Sequence, residues 1–136
     1  MTLRKDMLVE IVAYCLMPNH FHVILGTQDI GNKTKFIHKL CTGYSMYFNL
    51  KYGHSGTIFQ GQYKAKYIDN DDYFRYVIQY VHLNPYGLLE PDMDRITKLD
   101  HSDEAIKFSK EYEFSSYRDY LGFDRPQKSI LTFVQG

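Results

Sequence analysis

Two short patterns in this 136-residue chain hold side chains that could do chemistry together. The first is His20-Phe21-His22, at the start of the run HFHVIL. Neutral imidazole is a good ligand for divalent transition metals, and residues i and i+2 of a strand project from one face. His20 and His22 would then offer two ring nitrogens to one ion, with Ile24 beside them and Phe21, Val23 and Leu25 behind. By itself the pattern also fits two ordinary half-buried or surface histidines. The second pattern is YFRYVIQYVHLN, from Tyr73 to Asn84. On a helix Phe74, Val77, Ile78 and Val81 form an apolar stripe, and Tyr73, Tyr76, Tyr80 and Asn84 form a neighbouring one. A stripe of tyrosines usually packs. Tyr80, however, has an amide, Asn84, one turn on, where Tyr76 has Tyr80 and Tyr73 has Val77. A phenol and an amide about 6 Å apart along a helix can both address one metal-centred site.

The elements that must hold these groups follow from periodicity and turn chemistry. Residues 8–17, LVEIVAYCLM, read as an apolar strand, and HFHVIL (20–25) as a second, joined through a Pro18-Asn19 turn into an antiparallel hairpin. The apolar spacing from about Lys33 to Tyr52 predicts an amphipathic helix that stops at Gly53. After a Gly-rich connection, QYKAKYI (62–68) alternates as a strand would, with Gln62, Lys64 and Lys66 facing one way and Tyr63, Ala65 and Tyr67 the other. Asp69 to Asp72 supply a cap and first-turn acids for the tyrosine helix, which runs to about Leu83 and is stopped by Pro85. Residues 86–101 read as loop, Ser102 caps a helix to about Glu111, SSYRDYLG (115–122) forms a further short helix, and ILTFVQG carries no assignment.

These elements make an α+β fold, an antiparallel sheet with helices packed on one face. They form a single domain over 1–136, with a core at about 8–85 and a C-terminal helical segment at about 102–122. Hydrophobic residues at 44% and charged residues at 24% exclude wholesale disorder. No apolar run approaches the ~20 residues of a membrane helix, and no signal peptide is visible. Cys15 and Cys41 are too few for a disulfide framework and lack CxxC spacing, which excludes a zinc finger and points to reduced thiols in the cytoplasm. The 13 tyrosines, with no tryptophan, offer flat faces on which bases can stack. Zero net charge conceals an excess of +5 in residues 1–68 and −5 in 69–136. Such a chain can carry a polyanion site on one side, while strong non-specific duplex binding is not expected of it.

AYCLMPNHFHVIL, FQGQYKAKYI and YVIQYVHLNP, in this order, resemble the single-tyrosine HUH transposase family, in particular the REP-associated tyrosine transposases. SSYRDYLG resembles the family's late segment, so the likeness covers about residues 8–122. The resemblance implies a ferredoxin-like core. The family's pattern has a further strand and helix ahead of the AYCLMPNH stretch, and this core is expected to lack them. It also implies an enzyme that cuts and rejoins single-stranded DNA near hairpins through a 5′-phosphotyrosine intermediate, and that often works as a homodimer. His20 and His22 would hold a divalent ion, Mg²⁺ or Mn²⁺. Asn84 would complete the protein ligands, with His82 as a nearby rival, and Tyr80 would be the nucleophile. Lys64 and Lys66, beside Gln62, are expected to meet DNA phosphates. Two other readings compete: a truncated or domesticated protein that binds hairpin DNA without cutting, and a small sheet-based RNA-binding module that uses exposed tyrosines. Stacking alone needs no histidine pair, which argues against the second.

Overall fold

The computed structural model describes residues 7–18, 20–59, 61–85 and 102–133. The expected loop over 86–101 and the turn residue Asn19 lie outside the described residues. The chain divides into two compact units, Met1–Glu10 with Thr27–Tyr67, and Ile11–Gly26 with Ile68–Gly136.

The second unit contains the hairpin. Strand β1 (Glu10–Leu16) pairs antiparallel with β2 (Phe21–Gly26), and the Met17 N–H donates to the His20 carbonyl at 2.8 Å where the chain reverses. Val12, Ala13, Tyr14 and Cys15 of β1 are all buried, so both faces of this strand are covered, as its unbroken apolar run requires. Burial pushes the Cys15 thiol up to about 12, leaving it neutral and unreactive.

Helix α2 (Asp71–Leu83) lies on the hairpin. Its N-cap is Asn70, whose side chain accepts from the Tyr73 N–H at 2.7 Å, and Asp71 and Asp72 complement the positive end of the helix dipole. The expected apolar stripe is the face that packs: Val81 belongs to the buried cluster of Val12, Ala13, Cys15, Met17 and Ile24, and Phe74, Val77 and Ile78 lie against it. Helix α3 (Asp103–Glu111) starts at Ser102, whose hydroxyl accepts from the Ala105 N–H, and packs on α2. A single turn, α4 (Tyr117–Tyr120), follows.

The C-terminal segment covers the far edge of β1. The Leu16 N–H donates to the Phe114 carbonyl at 2.7 Å, Ser116 N–H to Tyr14 at 2.9 Å, and Thr132 N–H to Ile11 at 2.8 Å. Tyr112 Oη and Tyr120 Oη donate to the Leu16 and Val12 carbonyls. An edge strand that would otherwise offer unpaired backbone is thus closed from within the chain. ILTFVQG, unassigned from its sequence, supplies part of that cover through Leu131 and Thr132.

The first unit is built on helix α1 (Ile30–Tyr52), capped by Asp29 at its start and by Gly53 at its end. Gly53 has φ +60, the left-handed geometry that closes a helix and that glycine adopts without strain. The strand expected over 62–68 is absent. The segment is irregular and exposed, Tyr63 at 46% and Tyr67 at 85%. Its alternation defines two faces, yet neither is buried, and a strand without a paired neighbour or a covered face has nothing to hold it. The fold is α+β, with a two-stranded antiparallel sheet and helices, consistent with a reduced ferredoxin-like core.

Candidate active site

His22 sits on β2 and His20 immediately before it. Their rings meet edge to face, centroids 5.0 Å apart and planes at 88°. Ile24, next on the same face, enters the buried cluster that contains Val81 of α2. The histidine pair therefore occupies the outer end of the sheet face on which α2 rests. Consistent with this, the His22 ring lies against Tyr80, with centroids 5.6 Å apart and planes at 78°. The strand pair and the helical tyrosine, 58 residues apart in sequence, come together in space.

Asn84 follows the last residue of α2 and keeps helical backbone angles, φ −55 and ψ −37, despite preceding Pro85. It stays one turn beyond Tyr80, as the helical spacing requires. Asn84 is only 4% exposed, and among the described residues neither Oδ1 nor Nδ2 has a hydrogen-bond partner. A buried amide left unsatisfied costs free energy of the order of 1–3 kcal/mol, so such groups call for an explanation.

His82 is engaged on a different face from Tyr80 and Asn84. Two positions from Tyr80, it points to the other side of α2, where it is buried, with Nε2 2.8 Å from Ser116 Oγ. Its ring stacks on Tyr117 and tilts against Tyr120. Ser116 Oγ also accepts from the Tyr14 N–H and donates to the Tyr14 carbonyl, so this joint ties the last turn of α2 to β1. Burial pushes the His82 pKa down to about 4, against a smaller upward pull from Asp119, and the ring stays neutral at ordinary pH. Sequence spacing gives no hint of the His82–Ser116 joint, because its members are 34 residues apart on different elements.

Gln62, Lys64 and Lys66 are exposed members of the first compact unit.

Among the described residues no three His, Cys, Asp or Glu side chains gather into a metal cluster. Beside the two imidazoles of His20 and His22, the buried Asn84 amide offers an oxygen donor one turn beyond Tyr80. Two imidazoles with one amide oxygen are mixed nitrogen–oxygen donors, which suit a divalent ion such as Mn²⁺.

The family model described as "Transposase IS200 like" matches residues 2–84. The chain belongs to the IS200-like transposase family. In this IS200-like transposase the match takes in the hairpin, α1 and α2, and so His20, His22, Tyr80 and Asn84 all fall inside it. Ser116, Asp119 and Arg125, which brace β1 and α2, lie beyond its end. No curated protein and no solved structure gives a significant match. No helix among the described residues of the transposase is long and apolar enough to cross a membrane.

Proposed function

We propose that this transposase cuts and rejoins single-stranded DNA beside hairpins, with Tyr80 as nucleophile and with His20, His22 and Asn84 as ligands of one Mg²⁺ or Mn²⁺. The observation that carries the proposal is the packing of Tyr80 on His22, which brings a phenol to the histidine pair. The unsatisfied Asn84 amide, a turn further along, supports the third ligand position.

A tyrosine hydroxyl is a weak nucleophile until it is positioned and activated, so its placement matters. The ring of Tyr80 is held between the packed core and His22, which limits the directions its oxygen can take. Tyr80 Oη attacks the scissile phosphorus. The bond from tyrosine oxygen to phosphorus forms as the bond from phosphorus to the 3′-oxygen breaks. The phenol gives up its proton and the leaving oxygen gains one. The products are a 5′-phosphotyrosine and a free 3′-hydroxyl. Since the phosphodiester is exchanged rather than hydrolysed, a 3′-hydroxyl can reverse the step and no ATP is required. A bound divalent ion supplies charge neutralisation and orientation at the phosphate.

The test is incubation of the full chain with a labelled hairpin oligonucleotide and Mn²⁺, followed by denaturing electrophoresis. A covalent protein–DNA band is expected, with the linkage at Tyr80 by mass spectrometry. A mobility shift in the native gel without a covalent band would replace the enzyme by a hairpin-binding protein.

A further inference from the structure

The charge asymmetry of the sequence coincides with the division of the structure. Residues 27–67 of the first unit hold six lysines and one acid, Asp29. The same residues hold five tyrosines, Tyr44, Tyr47, Tyr52, Tyr63 and Tyr67, and every one is exposed. So much exposed aromatic surface within one compact unit marks an interaction site. The lysines and tyrosines are interleaved. Lys51 Nζ lies 5.7 Å from the Tyr47 ring centroid and 5.3 Å from that of Tyr52, and Lys33 Nζ lies 6.0 Å from that of Tyr63. Tyr63 in turn meets Thr34 through its hydroxyl at 3.4 Å, so the irregular 61–67 segment runs beside the first turns of α1. On α1, Lys33, Leu40, Tyr44, Tyr47 and Lys51 share one stripe, with a cation at each end about 27 Å apart.

We infer that this lysine–tyrosine surface of the first unit is a docking surface for an unpaired stretch of single-stranded DNA. The inference rests on the proposed single-strand chemistry and adds to it a surface of the first unit that holds unpaired DNA. Aromatic rings among cations suit a single strand rather than a duplex. Unpaired bases expose faces that stack on tyrosine, while the phosphates between them are met by ammonium groups. A duplex would present phosphates alone and leave the rings without a partner. The lack of burial over 62–68 fits this role, because Tyr63 and Tyr67 are turned to solvent instead of to a core. Recognition by stacking is sequence-tolerant, so the surface would grip a flank of the substrate and leave the choice of cleavage site elsewhere.

The experiment measures binding of a fluorescent, unstructured oligothymidylate to the full chain by anisotropy, alongside the Tyr80 adduct assay with hairpin DNA. Tyr47→Leu with Tyr63→Leu should weaken oligothymidylate binding by about tenfold or more, and Tyr47→Phe with Tyr63→Phe should keep it. Lys33→Ala with Lys51→Ala should lower the slope of log affinity against log salt by about 1.4, roughly 0.7 for each phosphate contact. Circular dichroism of the variants should match the parent, since Tyr47 and Tyr63 are largely exposed. Unchanged affinity in the leucine variant, with the parent still forming its adduct, would overturn the docking surface and leave the enzyme standing. Loss of oligothymidylate binding in that variant, with no adduct from any chain, would uphold the surface and remove the enzyme. If sedimentation shows the leucine variant turning a dimer into a monomer at unchanged oligothymidylate affinity, the face belongs to a second copy and the inference fails.

Discussion

At the scale of single residues, the patterns that hold the histidine pair and the tyrosine are visible in the sequence because each is written in a local period, i, i+2 on a strand and i, i+4 on a helix, whereas their meeting in space is not. Spacing could not choose among Tyr73, Tyr76 and Tyr80 by itself. The packing of His22 on Tyr80 adds a spatial reason to the one given by Asn84. Tyr80→Phe removes one oxygen and keeps the ring that packs on the core, so thermal stability and DNA binding should be nearly unchanged. The covalent adduct should vanish in mass spectrometry, and an adduct formed by Tyr80→Phe would assign the chemistry to another residue. The ligand set has a separate test. Calorimetry with Mn²⁺ should show one site in the parent and at least a tenfold loss of affinity in His22→Ala, since even the groups that merely orient a ligand are worth about 10- to 100-fold. Asn84→Ala is the informative companion. It deletes an amide that has no hydrogen-bond partner among the described residues, so it should weaken Mn²⁺ binding without destabilising the apo fold. What the sequence concealed at this scale were the contacts of His82. A histidine beside the tyrosine looks like a ligand in one dimension, and only the approach of Ser116 from another element shows its ring to be taken.

At the scale of elements, the helices were readable because their ends are chemically marked. Asn70, Ser102 and Gly53 each make the capping contact that their residue types favour. The alternation over 62–68 does not make a strand, because alternation is only half of a strand's requirement, the other half being a paired neighbour and a covered face. The cover on β1 was invisible for the opposite reason. Phe114 to Ser116 and Leu131 to Thr132 have no strand periodicity, and they pair with β1 across about a hundred residues of sequence. Arg125 pins this cover. Its guanidinium donates to both carboxylate oxygens of Asp119, to the Glu113 carbonyl at 2.8 Å and to the Ser115 carbonyl. The Asp119 side chain is fully buried, so Arg125→Ala would strand a carboxylate away from water. The expected cost is about 3 kcal/mol, read as a lower urea midpoint, because losing one partner of a buried pair is worse than losing both. Asp119→Leu with Arg125→Met should recover part of that loss, and if the double variant is no better than Arg125→Ala, the pairing is not what holds the segment.

At the scale of the whole molecule, the second unit is held by side chains from both ends of the matched region and beyond, and His82 lies where they meet. The groups around it are Ser116, Tyr117, Tyr120 and Asp119, and the last is already engaged by Arg125. A protonated imidazole there would have to shed its hydration inside the core, which is why burial lowers its pKa to about 4 in the folded chain. Unfolded, the same ring titrates near ~6.5. Between those values the unfolded state binds the extra proton, so folding stability is full above about 6.5 and falls as pH drops, levelling off below about 4. The interval corresponds to about 3 kcal/mol from this one group. His82→Gln keeps a polar atom toward Ser116 and cannot take up a proton in this range. Urea unfolding of both chains at pH 7 and pH 4.5 should show a steeper decline in the parent, the difference between the two declines being the histidine's share. Parallel declines would mean that His82 exchanges protons with solvent while folded, and that the joint between α2 and β1 opens far more readily than its packing indicates.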